Sequence, residues 1–207
     1  MINILLKTVL SNIEIDYGYN SLILNNKELY RKTYYTPLEE MIISTNSEEI
    51  STSKISIIKN ILDFDINEKK NITELYKYMD KNVTSNYTAE KYDLYSHITN
   101  FLDLVLDNDI NNLEYNIDID FSKFLQSVDL KYKLSDNFIE NIVNYITYVS
   151  KKSVLVITYS LNTYLEQNEI EILNNELSKR QITLVDIASN VTNQFTKLII
   201  DKDLCII

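Results

Sequence analysis

The chain has 207 residues, 45% of them apolar, a formal net charge of −10, and one glycine, one proline, one cysteine and no tryptophan. Such a composition is typical of a folded globular protein with room for one good core or two small ones. A single cysteine excludes an intrachain disulfide and a cysteine metal cluster, and it fits a reducing compartment. The acidic balance excludes a uniformly basic coat for nucleic acid, but not a local basic stripe, because salt screens each charge beyond about 10 Å.

The first 62 residues predict mainly strands. Residues 1–10 are apolar but too short for a signal peptide or a membrane span, which predicts a cytoplasmic protein. Short apolar runs and alternating apolar and polar residues predict strands, with one short helix at residues 27–32. The predicted strands cover residues 1–6, 13–17, 22–24, 41–43 and 55–58.

From residue 63 to residue 150 the apolar spacing becomes helical. Leu94, Ile98, Phe101, Leu102 and Val105 recur as one stripe of a long helix. Similar stripes predict two more helices. Their apolar residues are Phe121, Phe124, Leu125 and Val128 in one, and Ile139, Ile142, Val143, Ile146 and Val149 in the other.

Strands return after residue 152, at residues 154–157, 182–185 and 198–200. Between the first two lies a predicted helix with glutamates in its first turn and Lys179 and Arg180 in its last, charges that suit the helix dipole. A helix between two strands indicates a parallel pair. We therefore predict an α/β fold: a discontinuous head formed by residues 1–62 and 136–207, with an α-helical insertion at residues 63–135.

The predicted sheet lacks a phosphate-binding turn for a nucleotide. Phosphate-binding turns use glycine, because only glycine lets backbone N–H groups close around a phosphate. The turn after the strand at 154–157 reads Thr-Tyr-Ser-Leu-Asn, and Gly18 lies elsewhere. This argues against a nucleotide hydrolase.

Candidates for catalysis are few. His97 is the only histidine and lies within the long helical stripe, so we assign it a structural role. Cys205 lies in the closing apolar segment and is predicted to be a small buried side chain. The pairs Glu39-Glu40 and Glu48-Glu49 are interpreted as solvated charges. We predict no catalytic residue.

A polar connection at residues 107–118 carries oxygen side chains spaced as in a calcium-binding loop. Asp107, Asp109, Asn111, Glu114 and Asp118 are of the type that Ca²⁺ prefers. The loop lacks the central glycine and the final glutamate of an EF-hand. By spacing alone, a calcium site and a plain polar connection both remain open.

Basic residues occur in pairs that can be surface ion pairs or phosphate contacts. The sixteen tyrosines accompany abundant Asn, Ile and Lys, which indicates an AT-rich coding sequence, so we do not interpret them as stacking platforms for bases. The lysines considered as DNA contacts are Lys54, Lys59, Lys69, Lys70, Lys151 and Lys152.

Several segments together resemble one family. They lie at residues 61–67, 113–116, 148–157, 164–169 and 198–207, the last containing Ile-Asp-Lys-Asp at 200–203. Their order and separations are similar to those of the CRISPR-associated adaptation protein of type II-A systems, encoded beside the effector nuclease and the two integrase components. The resemblance covers most of the chain, from about residue 50 to the end.

The resemblance implies a head like phosphate-loop ATPases but without the nucleotide site, and an inserted helical leg. It implies a non-catalytic homotetrameric ring, supported by calcium, that takes up ends of double-stranded DNA during spacer acquisition. Its partners would be the integrase components and the RNA-guided effector nuclease. The implied calcium ligands are Asp109, Asn112, Glu114, Asn116 and Asp118, with the two asparagines standing where the family usually has acids.

An alternative hypothesis is a protein-interaction scaffold for the integrase and effector complex that has lost DNA binding, since this chain is acidic and its loop has fewer acids than usual. Four copies around an axis can still concentrate a few lysines on one inner surface, so the net charge permits a ring around DNA.

Overall fold

The structure is a computed structural model that describes residues 2–46, 48–106, 120–190 and 192–207. It divides into two compact units, one formed by residues 1–64 and 134–207 and the other by residues 65–133. Among the described residues, the first unit contains two β-sheets and four α-helices, and the second contains three α-helices. The predicted mixture of α and β structure with a parallel sheet is confirmed.

A five-stranded parallel sheet forms the centre of the first unit. Its strands are β3 (Gly18–Leu24), β6 (Ile55–Ile58), β7 (Leu155–Tyr159), β8 (Thr183–Ala188) and β9 (Thr196–Ile200), in the order β6-β7-β8-β3-β9. Every residue of β3, β7 and β8 is buried, as expected where both faces of a parallel sheet are covered. The strand β6 lies at one edge.

The other early strands form a separate antiparallel sheet, which the sequence did not predict. It contains β1 (Ile2–Leu6), β2 (Ser11–Ile15), β4 (Met41–Thr45) and β5 (Glu48–Glu49), in the order β2-β1-β4-β5. Its alternating buried side chains, such as Ile2, Ile4 and Leu6, pack in one cluster with Leu155 and Ile157 from one face of the parallel sheet. The strand β3, predicted at residues 22–24 among the early strands, joins the parallel sheet between β8 and β9.

Helices cover the opposite face of the parallel sheet. Helices α6 (Phe138–Ser150) and α7 (Gln167–Lys179) pack on it through Ile146, Leu173 and Leu177. The predicted charges at the start of α7 form a capping box, in which Glu169 accepts from the backbone N–H of Glu166 at 2.8 Å. The first unit also contains α1 (Lys27–Tyr35) and α2 (Pro37–Glu40).

The second unit contains α3 (Lys69–Asn86), α4 (Thr88–Leu106) and α5 (Phe121–Ser127). The side chain of Asn67 pairs with the backbone of Tyr132, donating at 3.0 Å and accepting at 2.9 Å. The predicted stripe on α4 is only partly buried, since Phe101 and Val105 are 63% and 51% exposed. None of the described helices has the length and apolar character that a membrane crossing requires.

Two predictions on single residues are corrected by the structure. Cys205 was predicted to be buried, but it is exposed, because it lies after β9 in a turn where Asp201 accepts from its backbone N–H at 2.8 Å. The side chain of His97 is 75% exposed, with Nε2 3.7 Å from a carboxylate oxygen of Asp93. It therefore belongs to the solvated face of α4.

Candidate nucleic-acid interface

Three of the predicted lysines come together where the parallel strands begin. Lys54 immediately precedes β6, and Lys151 and Lys152 precede β7 by a few residues. The backbone N–H of Val154 donates to the carbonyl oxygen of Lys54 at 2.8 Å, so the turn before β7 is fixed beside the start of β6. All three side chains are exposed. We call them the amino-edge lysines, because they share the amino-terminal edge of the sheet.

Arg180 belongs to the same edge, although it was predicted as a helix-end charge and was not among the six predicted DNA contacts. It is the C-cap residue of α7, three residues before the start of β8, and its Nη1 donates to Thr147 Oγ1 on α6 at 3.1 Å. The sequence contained a signal for this placement. Lys151-Lys152 and Lys179-Arg180 each stand just before a strand of one parallel sheet, so both pairs had to meet at the edge where the strands start.

Acidic neighbours balance part of this charge. Glu176 lies 2.8 Å from Lys179 Nζ and 3.5 Å from Arg180 Nη2. The hydrogen bond and positive charge of Lys179, followed by those of Arg180, lower the pKa of Glu176. Asp16 is paired with Lys197 at 2.9 Å. The positive charge of Lys179 and Arg180 is therefore partly balanced by Glu176.

A cleft of about 480 Å³ opens at the same edge. The polar residues that line it include Ser150, Ser153, Arg180, Gln181 and the acidic Asp16, and Ile2, Ile15, Val154 and Ile182 contribute apolar surface. Hydroxyl, amide and guanidinium groups are common contacts to phosphate and sugar. The arrangement can bind a phosphate backbone through charge and hydrogen bonds, without reading bases.

The other predicted lysines lie elsewhere. Lys59 follows β6 at the opposite, carboxyl-terminal edge of the sheet. Lys69 and Lys70 begin α3 in the second unit, where Lys69 lines a cleft of about 480 Å³ together with Lys77 and Lys123. The structure thus brings together three of the six predicted DNA contacts.

The carboxyl-terminal edge, where nucleotides bind in related sheet architectures, is occupied by a buried carboxylate of the chain itself. Asp186 on β8 is fully buried and accepts from the backbone N–H groups of Leu161 and Asn162, both at 2.9 Å. It also accepts from Tyr19 at 2.9 Å and from Thr158 at 3.0 Å. The two N–H groups that follow β7, of the kind that hold a phosphate in a phosphate loop, therefore donate to an internal carboxyl group.

Burial has the largest effect on the pKa values of Asp186 and Tyr19. Complete burial raises the pKa of Asp186, while the hydrogen bonds donated to it, first those from Asn162 and Leu161, lower it. Burial also raises the pKa of Tyr19, with the charge of Asp186 as a further cause. Sequence reasoning missed this network, because an aspartate inside an apolar strand gives no pattern from which its donors can be read.

The predicted calcium ligands Asp109, Asn112, Glu114, Asn116 and Asp118 lie outside the described residues. Within residues 2–46, 48–106, 120–190 and 192–207, no group of three or more His, Cys, Asp or Glu side chains is arranged to hold a metal ion.

Comparison with known proteins identifies a family. The sequence model of a family described as "CRISPR-associated protein (Cas_Csn2)" matches residues 33–204. The match includes the amino-edge lysines, Arg180 and Asp186. No curated protein matches the chain.

Proposed function

The chain belongs to the CRISPR-associated Cas_Csn2 family, and on that premise we propose that it is a non-catalytic accessory protein of spacer acquisition that binds ends of double-stranded DNA. Binding is independent of sequence, because lysine and arginine contact phosphates and not base edges. The observation that carries the proposal is the position of Lys54, Lys151, Lys152 and Arg180 on one edge of the sheet, in a chain with a CRISPR-associated role.

The network around Asp186 supports a role without nucleotide hydrolysis. A phosphate approaching the turn after β7 would meet a carboxylate in place of free N–H donors. We therefore propose that the first unit is a head of the phosphate-loop ATPase type that has lost its nucleotide site. In this proposal the second unit is a helical leg inserted into the head.

A ring is the assembly in which this acidic chain could bind DNA. With a net charge of −10 per chain, one copy repels DNA at long range, but cyclic symmetry can bring four basic edges to one axis while acidic surfaces remain in solvent. We propose a homotetramer, acting in the cytoplasm with the integrase components and the RNA-guided effector nuclease.

We also propose that calcium supports the ring. The carboxylates of Asp109, Glu114 and Asp118 and the amide oxygens of Asn112 and Asn116 are hard oxygen donors of the kind that Ca²⁺ binds. Light scattering with calcium and with a chelator tests this part. The proposal predicts a tetramer in calcium and a smaller species with the chelator, and an unchanged mass would contradict the calcium requirement.

The experiment that tests DNA-end binding compares linear and covalently closed circular duplex of the same sequence in a gel-shift assay with calcium. A ring that loads at ends is expected to bind the linear form and leave the closed circle unbound. Linearising the circle with a restriction enzyme should restore binding. Equal binding of both forms would refute the ring proposal.

A second candidate is a protein-interaction scaffold without DNA binding. It is favoured by apolar side chains exposed on α4 in the described part of the chain, where Phe101 and Leu104 are 63% and 67% exposed. A pull-down from a nuclease-treated lysate separates the two candidates. Retention of integrase or effector subunits by a protein with no measurable DNA affinity would support the scaffold.

A further inference from the structure

Four side chains form a basic and aromatic surface at the end of α1, which we call the Tyr35 patch. They are Arg31, Tyr34, Tyr35 and Lys59. Lys59 Nζ lies 5.1 Å from the ring centroid of Tyr34 and 5.7 Å from that of Tyr35. Tyr35 is 71% exposed, and the exposed Arg31 lies one helical turn before it.

The inner part of this patch is held rigid by packing. The Tyr34 ring meets the ring of Tyr159 edge-on at 5.0 Å and stacks on Tyr30 at 6.5 Å. Tyr159 is itself buried and donates its hydroxyl hydrogen to the carbonyl oxygen of Thr33. The ring of Tyr35 stands edge-on to Tyr34 at 5.4 Å. A ring supported in this way loses little conformational freedom when a flat ligand covers it.

The chemistry of the patch fits an unpaired nucleotide. An exposed aromatic ring offers a face on which any base can stack, and the neighbouring lysine and arginine can contact phosphates. Bases inside a duplex are stacked on each other, so their faces are covered. An acidic peptide would satisfy the two cations but would leave the ring face unused.

The patch also lies at a suitable position relative to the amino-edge lysines. Lys54 and Lys59 stand at opposite ends of β6, which is an edge strand. Five residues of extended chain span about 16 Å, which corresponds to about five base steps of 3.4 Å along one strand of DNA. A strand that leaves a duplex at the amino edge can therefore follow the edge of β6 to the patch.

We propose that the Tyr35 patch binds an unpaired nucleotide at the end of a DNA strand, with the base stacked on Tyr35 and the phosphates contacted by Arg31 and Lys59. This inference rests on the proposed DNA-end binding and adds a preference for ends that carry a single-stranded extension. It also revises, for Tyr35, the interpretation that the tyrosines of this chain are not stacking platforms for bases.

Fluorescence anisotropy tests the inference with three probes: a blunt duplex, the same duplex with a single-stranded extension of about five nucleotides, and the extension alone. The wild-type protein is expected to bind the extended duplex about fivefold or more tightly than the blunt one, the effect of one stacked base. The extension can be placed at the 3′ or the 5′ end, and a gain at either end meets the expectation.

Three variants separate stacking from folding effects. Tyr35→Leu is expected to remove the gain and to leave binding of the blunt duplex unchanged, whereas Tyr35→Phe keeps the ring and the gain. Tyr92→Leu is the matched control, since Tyr92 is 68% exposed on α4, and it should behave as wild type. A gain that persists in Tyr35→Leu would overturn the inference.

The probes also distinguish this inference from the proposed function. Tight binding of the blunt duplex with no gain from the extension refutes the Tyr35 patch alone. Binding of the isolated extension that depends on Tyr35, without binding of the blunt duplex, refutes duplex-end binding and supports the patch. If none of the three probes binds, both the Tyr35 patch and duplex-end binding are refuted.

Discussion

Replacing the amino-edge lysines with glutamine is expected to change the salt dependence of DNA binding by a calculable amount. The three side chains are exposed and lie at the start of neighbouring strands β6 and β7, which run about 4.8 Å apart. Each lysine that contacts one phosphate contributes about 0.9 to the slope of log K against log salt. The triple variant should therefore have a slope shallower by about 2.7 for each protomer in contact.

That slope corresponds to a large difference in affinity. Over a fourfold rise in salt, from 50 to 200 mM, the wild-type protein should lose about 40-fold more affinity than the triple variant. Fluorescence anisotropy with a linear duplex measures both slopes. The control is a charge-matched triple variant at Lys7, Lys131 and Lys202, which are exposed and distributed over other surfaces. Equal slopes for wild type and the amino-edge variant, or an equal loss in the control, would refute the assignment.

Three further predictions concern the fold that presents this edge. In Gly18→Ala, the new Cβ would lie 2.4 Å from side-chain oxygens of Asn174 and Ser178, at a φ of +103°, so urea denaturation should show a loss of about 2–3 kcal/mol. Asp186→Ala leaves four buried donors without their acceptor and should lower the free energy of unfolding by about 3 kcal/mol; a change below about 1 kcal/mol would contradict the network. Burial raises the pKa of Tyr145 to about 12 from 10.0. The stability that the protonated Tyr145 hydroxyl contributes is therefore complete below pH 10 and is lost as the pH rises through 12. In Tyr145→Phe the loss of stability at alkaline pH should be less steep.

The sequence allowed the parallel sheet to be predicted because its signals are local. Continuous apolar runs such as Leu155–Tyr159 and the capped helix Gln167–Lys179 identify a strand and a helix without reference to the rest of the chain. The order of strands in a sheet depends instead on tertiary contacts. The apolar runs of β3 and β1 gave the same sequence signal, yet β3 is buried on both faces in the parallel sheet and β1 pairs with β2 and β4 in the antiparallel one.

The candidate site shows the same division between local and tertiary information. Lys151 and Lys152 could be located before a strand from sequence alone, and their proximity to Lys54 follows once β6 and β7 are known to be parallel neighbours. The separation of Lys54 from Lys59 follows from the single short strand between them. The hydrogen bonds of Asp186, in contrast, join residues 24 to 167 positions apart, and no sequence spacing could reveal them.

Lysine acetylation read by mass spectrometry shows whether DNA lies on the amino-edge lysines. The protein is treated with a limiting amount of reagent, alone and with linear duplex, and the modification of each lysine is compared. We expect linear duplex to protect Lys54, Lys151 and Lys152 strongly, with Lys7, Lys131 and Lys202 modified equally in both samples. Unchanged modification of the amino-edge lysines in a sample that binds DNA would contradict this expectation.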